Sequence, residues 1–551
     1  MQVLGIRDII GPVMIGPSSS HTAGALRIAL TCRHLLSGTP THAVFRLYGS
    51  FAKTYHGHGT DKALVAGLLG MTPDNEGIRD SFERARAAGL TFEFLPVDDV
   101  RTPHPNTVDI DVTDSTGALT HVRGESIGGG AAVITRINSV DVYLTGEYHS
   151  LVVRQRDAKG VLAHIAGVIS TCNVNIATTR LYRERKGDIA YTIMETDDRI
   201  PSQALELLLQ HPDIYDVRII ASDRSSGHKP PERAESTKGE GFGANLTEQE
   251  AAALFEQLDF AHAAQLLDYC EREGIAISEA ICRRERAMLA SNGIVVDDTR
   301  RYLLGVMDVM RASIERPLKD PQPSMGGLLG GEGKACQALG QSQAPCDPLL
   351  ARVCTYALAV LETNASMGRI VATPTAGSAG VVPAVLLALQ DERGFEREQI
   401  RQALANAAAI GYLIARNATV AGAEGGCQAE VGAASALAAS AAGELFGGTP
   451  PQCLNAASNA LMGLMGLVCD PVCGLVEVPC QKRNATGAAN ALVSAQIALA
   501  GVGNLVDFDQ TVEALRRVGN SLPFELRESA LGGIAATPAA CAHCVKSQCM
   551  Q

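Results

Sequence analysis

The pattern of apolar positions divides the chain into four stretches. In residues 1–150 short alternating runs predict strands, at VFRLYGS (44–50), LTFEFLPV (90–97) and TVDIDVTD (107–114). Between them, 19–36 and 61–70 carry helical spacing, with Ser18, Ser19 or Ser20 available to cap the first and Thr60 or Asp61 the second. Residues 151–222 repeat a tighter rhythm, with strands at LVVRQRD, VNIATTRLYRE, GDIAYTIMETD and YDVRII and helices at VLAHIAGVISTCN and SQALELLLQH. That order, βαββαβ, predicts a ferredoxin-like unit. Residues 223–245 lose all apolar period and are dense in Ser, Gly, Pro and charge, so a linker is expected there. From 246 to 551 the pattern is helical, with Ala-rich segments at 351–366, 399–418, 428–446, 453–468 and 485–502 separated by Gly-rich polar loops. The expected architecture is therefore multidomain. An α/β domain (1–150) comes first, then a small α/β unit (151–222), a linker (223–245) and a mostly α-helical domain (246–551).

Composition sharpens this picture. Hydrophobic residues make up 46% of the 551 positions, yet aromatics only 4%, with 55 Gly and no Trp. Such cores must be built from Ala, Leu, Val and Ile, which suits closely approaching helices. The net charge of −12 argues against nucleic acid as a partner. The opening MQVLGIRDII lacks a basic stretch followed by an apolar one, and no apolar run is long enough to span a bilayer, so neither secretion nor membrane insertion is expected. Fifteen cysteines, an odd number, read as cytoplasmic thiols rather than as a disulfide framework.

Three of those thiols stand out. Cys427 follows AGAEGG, Cys469 precedes DPVCG and Cys480 ends LVEVP. Glycine and proline hold such backbone open, and thiolates are soft ligands that suit zinc or iron–sulfur. A buried, inert thiol is the ordinary alternative. Structural zinc is disfavoured by the wide spacings C-x41-C and C-x10-C, and the knuckle Cys541-x2-Cys544 has no second pair nearby. Elsewhere, GPSSSHT places Ser18, Ser19, Ser20 and His21 ahead of a helix, which suits a carboxylate as well as it suits a plain cap. HGHGTD offers His56, His58, Thr60 and Asp61, and imidazole is the usual proton carrier near neutral pH. Residues 362–380 are dense in hydroxyl and amide groups, with Asn364, Ser366, Thr373, Thr375 and Ser378 as candidates for binding substrate oxygens. Lys334 lies in GEGKACQ, but the S-x-K motif and glycine cup of pyridoxal-phosphate dehydratases are missing, leaving it a substrate-carboxylate or surface role.

The segments SMGRIVATPTAGSAGVVP (366–383), AEGGCQAEVG (423–432) and CDPVCGLVEVPCQKRN (469–484) resemble the α part of iron–sulfur L-serine dehydratases. MIGPSSSHTAGA (14–25) and HGHGTDKA (56–63) resemble their β part. The resemblance implies a lyase that converts L-serine to pyruvate and ammonium. Cys427, Cys469 and Cys480 would hold three irons of a [4Fe–4S] cluster, and the open fourth iron would act on the substrate hydroxyl. It implies His58 as the general base, with His21 second, and substrate binding by the serines of GPSSSHT. Cys473 would be a neighbour and not a ligand. Some family members carry a tail cysteine that reaches the open iron. Cys541 best matches it, although this chain runs ten residues further and adds Cys544 and Cys549, so a tail ligand and an unligated tail stay equally open. The 151–222 unit resembles an ACT domain, with Asp157 and Gly160 in a D-x-x-G-V-L start. This implies either an amino-acid effector site or a purely dimerising module. A homodimer or higher oligomer is expected. Two rival functions are a cysteine desulfidase using the same cluster and a non-catalytic amino-acid sensor. Turnover of both amino acids separates the first, and the cluster cysteines speak against the second.

Overall fold

The computed structural model describes residues 4–97, 99–146, 148–196, 198–221, 246–292, 298–339 and 344–548, without the side chains of 248 and 545–548. The linker expected at 223–245 lies outside the described residues, as does Cys549. The chain divides into two compact units. One comprises residues 1–19, 56–58 and 240–551, the other 20–55 and 59–239.

In the second of these units a six-stranded sheet runs in the order Thr91–Val97, Pro40–Tyr48, Thr107–Asp114, Leu119–Gly128, Ala131–Ile137, Val140–Leu144. The first two strands are parallel and every other neighbouring pair is antiparallel. The alternation at 44–50, 90–97 and 107–114 anticipated three of the six. Helix Ala25–Leu35 lies on this sheet, and a glycine permits the close approach: a Cβ on Gly124 would stand 2.3 Å from Ile28. A wide helical turn, Ser19–Gly24, leads into that helix. A second, four-stranded antiparallel sheet has the order Ile214–Ile220, His149–Arg156, Ile189–Thr196, Ile176–Arg183. Leu151, Val153 and Met194 from its strands pack against Val161, Ile165 and Ile169 of helix Val161–Thr171.

The other unit is helical. At its centre is Ala433–Leu445, sequence AASALAASAAGEL, with its first eleven residues all buried. Small side chains let four helices approach it: Val381–Arg393, Arg397–Asn417, Pro450–Leu464 and Cys480–Leu499. Strand Val13–Ile15 pairs antiparallel with Arg369–Val371 in this unit. That pairing brings the GPSSS segment beside the polar loop at 373–378, and Ser19 Oγ accepts a hydrogen bond from the Ala376 amide at 2.9 Å. Among the described residues no helix is long and apolar enough to cross a membrane.

Candidate active site

The helical unit collects Cys427, Cys469 and Cys480, all buried, from three different backbone settings. Cys427 follows Gly426, whose φ of 75° turns the chain before the helical turn Gln428–Gly432. Cys469 is extended. Its amide donates to the Leu526 carbonyl at 2.9 Å and its carbonyl accepts from the Glu528 amide at 2.8 Å. Cys480 opens helix Cys480–Leu499. The three thiols feel one another. Cys469 is raised well above the ordinary thiol range by a hydrogen bond to Cys427, by burial and by the charge of Cys427. Cys480 is raised well above it by burial, and next by Cys427. Arg483 opposes this at Cys480, and its guanidinium is held by the Val468 carbonyl at 2.8 Å and Asp470 at 2.7 Å.

Two carboxyls stand beside the thiols. Burial pushes Glu430 up to about 7, while a 2.8 Å hydrogen bond donated by Thr375 Oγ1 to Glu430 Oε1 opposes the rise. Burial, then the charge of Glu430, pushes Glu528 up to about 8. Glu528 Oε1 lies 3.9 Å from Nε2 of His58, whose side chain is fully buried. Three thiols and two carboxyls crowded away from water cannot all ionise unless a cation joins them, so this donor set fits a cationic, sulfur-ligated group. Neither carboxyl was singled out in the sequence. Glu430 carried a signal, since it stands three residues after Cys427, about one helical turn away. Glu528 carried none.

Thr375 Oγ1 is 3.1 Å from Ser378 Oγ, and Ser378 donates to the Thr373 carbonyl at 3.1 Å. Asn364 Nδ2 donates to the carbonyls of Ala376 at 3.0 Å and Pro17 at 3.4 Å. Thr373 and Ser366 donate to the Val371 and Thr363 carbonyls, and Ser18 is buried. Asn484, not singled out in the sequence, ties this loop to the Cys480 helix, donating to the Gly377 carbonyl at 2.8 Å and accepting from the Gly380 amide at 3.0 Å. In the other unit, buried His21 joins Ser20 Oγ at 3.0 Å through Nδ1 and Ser50 Oγ at 2.8 Å through Nε2. Thr60 is buried at the start of helix Thr60–Leu68. Lys334 is not gathered with the cysteines. It is exposed, with Nζ 3.4 Å from the Lys319 carbonyl. Cys541 is also exposed, its sulfur 3.8 Å from the Ala535 carbonyl.

Twelve of the described cysteines are free thiols, as expected, while Cys473 and Cys544 are joined. Helix Pro538–Gln548 folds back onto the turn Val472–Gly474 and brings the two Cα atoms to 5.4 Å, within disulfide reach.

The model of the serine dehydratase alpha chain matches residues 246–535, and that of the beta chain matches residues 7–136. The chain belongs to the serine dehydratase family. Among its relatives in that family is an L-serine dehydratase of Streptomyces coelicolor, 28% identical over 535 residues, which cover 95% of this chain and 96% of the relative. Two separate Bacillus subtilis chains match its parts. A probable L-serine dehydratase alpha chain is 42% identical over 284 residues, 51% of this chain and 92% of the relative. A probable L-serine dehydratase beta chain is 40% identical over 221 residues, 40% of this chain and all of the relative. The serine dehydratase alpha-chain match contains all three clustered cysteines, and the beta-chain match contains both candidate histidines.

Proposed function

We propose that this chain is an iron–sulfur L-serine ammonia-lyase that converts L-serine to pyruvate and ammonium. The observation that carries the reading is the meeting of Cys427, Cys469 and Cys480 in one buried place, beside two carboxyls whose titration burial pushes upward. These cysteines would hold a [4Fe–4S] cluster. When bound, that group supplies a Lewis-acidic iron for the substrate hydroxyl.

The chain's own residues do the rest. Ser19 and the loop containing Asn364, Thr375 and Ser378 orient the substrate through hydroxyls, amides and backbone N–H groups. His58 takes the α-proton on an imidazole nitrogen, with the Glu528 carboxyl 3.9 Å from its Nε2. His21 is the second candidate for that proton. Loss of the proton and of the β-hydroxyl as water gives aminoacrylate. Its imine tautomer adds water and releases ammonium, leaving pyruvate.

The domains at 1–150, 151–222 and 246–551 would serve as β-like part, ACT-like unit and catalytic part. The chain order β-α-β-β-α-β and the antiparallel sheet of residues 149–220 support a ferredoxin-like, ACT-like reading, with an amino-acid effector. A cytoplasmic homo-oligomer follows from the same reading. The test is anaerobic turnover of L-serine and L-cysteine side by side. Pyruvate and ammonium from serine, with little sulfide from cysteine, supports the proposal. Sulfide as the main product, or no turnover of either, contradicts it.

A further inference from the structure

The stretch between Cys469 and Cys480 is joined to the C-terminal segment at three successive points. The first is the backbone pair between Cys469 and residues 526–528. At the second, Asp470 Oδ2 accepts from the Ile534 amide at 2.6 Å. At the third, Cys473 and Cys544 are covalently linked, fastening helix Pro538–Gln548 to the turn Val472–Gly474. The first two joints are hydrogen bonds and do not respond to thiols. The third does.

Its position is not neutral. Cys473 adopts φ 55°, a left-handed conformation that costs a non-glycine residue, and such strain persists only where the surroundings hold it. The same turn backs the loop that carries His58: a Cβ on Gly57 would stand 3.4 Å from the carbonyls of Cys473 and Gly474 and 3.2 Å from Leu475. Cys473 and Cys544 are both only half-buried, so a small thiol or disulfide can reach them.

We infer that Cys473 and Cys544 form a reversible redox clasp that holds the C-terminal helix against the loop between the two cluster-ligand candidates. Closing it converts two thiols to one S–S bond. The two electrons and two protons pass to a low-molecular-weight disulfide, which becomes two thiols, and two molecules of that thiol reverse the step by re-forming their disulfide. Opened, the helix is released while the joints at Cys469 and Asp470 remain. The clasp needs neither serine nor a bound cluster, so it stands apart from the proposed activity.

The test uses the full chain equilibrated in oxidised or reduced glutathione, quenched in acid, alkylated and digested for mass spectrometry. Amide exchange of residues 538–548 is measured in parallel. In oxidised glutathione the Cys473 and Cys544 peptides should be linked to each other. On reduction both should carry the alkyl label, and exchange in 538–548 should quicken by at least about tenfold. Cys544→Ser and, as a second route to the same open state, Cys473→Ser should exchange at the fast rate in both buffers. Absence of the link in oxidised glutathione, pairing of Cys544 with another cysteine, or a link that leaves exchange unchanged would each overturn the inference.

Discussion

Glu285→Gln gives a pH-dependent change whose size can be worked out. Glu285 is buried beside the start of the chain. It accepts a hydrogen bond from the Ile6 amide at 3.0 Å, and a Cβ on Gly5 would lie 3.0 Å from its carboxyl. This contact anchors helix Ile6–Ile9, which leads into strand Val13–Ile15 and so into the GPSSS segment of the site. Burial raises Glu285 from 4.5 to about 7, with the Ile6 bond and Arg284 opposing. The folded state therefore holds a proton that the unfolded state has already released. Below about pH 4.5 both states are protonated and there is no penalty. As pH rises the unfolded state ionises first, and stability is lost until the folded group also ionises near 7. The full penalty is about 3 kcal/mol, since each unit is worth about 1.4. It amounts to about 1 kcal/mol at pH 5 and about 3 at pH 8.5. A glutamine carries no such penalty. Relative to wild type, Glu285→Gln should gain about 2 kcal/mol of stability between those two pH values. Urea unfolding followed by the helical circular-dichroism signal measures this. Any constant offset from the amide cancels in the difference, as do all other titrating groups. A stability difference between the two proteins that is the same at both pH values would contradict a Glu285 that stays protonated in the folded state.

Other expected outcomes concern the site. Cys427→Ser, Cys469→Ser and Cys480→Ser should each lose bound iron, brown colour and turnover, because a hydroxyl is a poor iron ligand; Cys473→Ser should keep all three. His58→Asn should lower kcat by roughly two to four powers of ten, with the visible spectrum retained, as steady-state assay and absorbance will show. Asp470→Asn removes the charge partner of Arg483 and weakens the bond to the Ile534 amide, so iron should escape to a chelator several-fold faster than from wild type. Activity should fall in air and return with ferrous iron and thiol under argon; an enzyme indifferent to both treatments would exclude an exposed iron.

The helical half was legible because its Ala-rich segments have a clear period and its loops are marked by Gly and Pro. Helices found at Pro348–Ala365, Arg397–Asn417, Pro450–Leu464 and Cys480–Leu499 lie where that period placed them, within a few residues except for the earlier start at Cys480. In the β-like part the strands Leu119–Gly128, Ala131–Ile137 and Val140–Leu144 were not read. The first is interrupted by Gly124, which weakens a strand pattern but makes room for Ile28. The grouping of residues 1–19 with the helical unit rests on contacts across hundreds of positions, the Ile6–Glu285 bond and the pairing of Val13–Ile15 with Arg369–Val371 among them, which no local pattern encodes. Glu528 was hidden for the same reason, since the bridge that brings its segment to the site joins Cys469 to Arg527, far apart in the chain. The Cys473–Cys544 link was hidden because cysteine spacing does not determine connectivity. The Gly-rich context of Lys334 leaves a substrate-carboxylate and a surface role open, and its side chain is on the surface.

The proposed activity requires that three cysteines of this chain hold a catalytic iron–sulfur cluster. The most direct measurement is iron and acid-labile sulfide analysis of anaerobically purified protein, joined to pyruvate formation from L-serine by the same sample. Expected are about four iron and four sulfide per chain, a broad absorbance at about 400 nm that bleaches in air, and turnover that rises in proportion to iron content. Full turnover in protein that lacks iron, or a pyridoxal-type absorbance peak in its place, would contradict it.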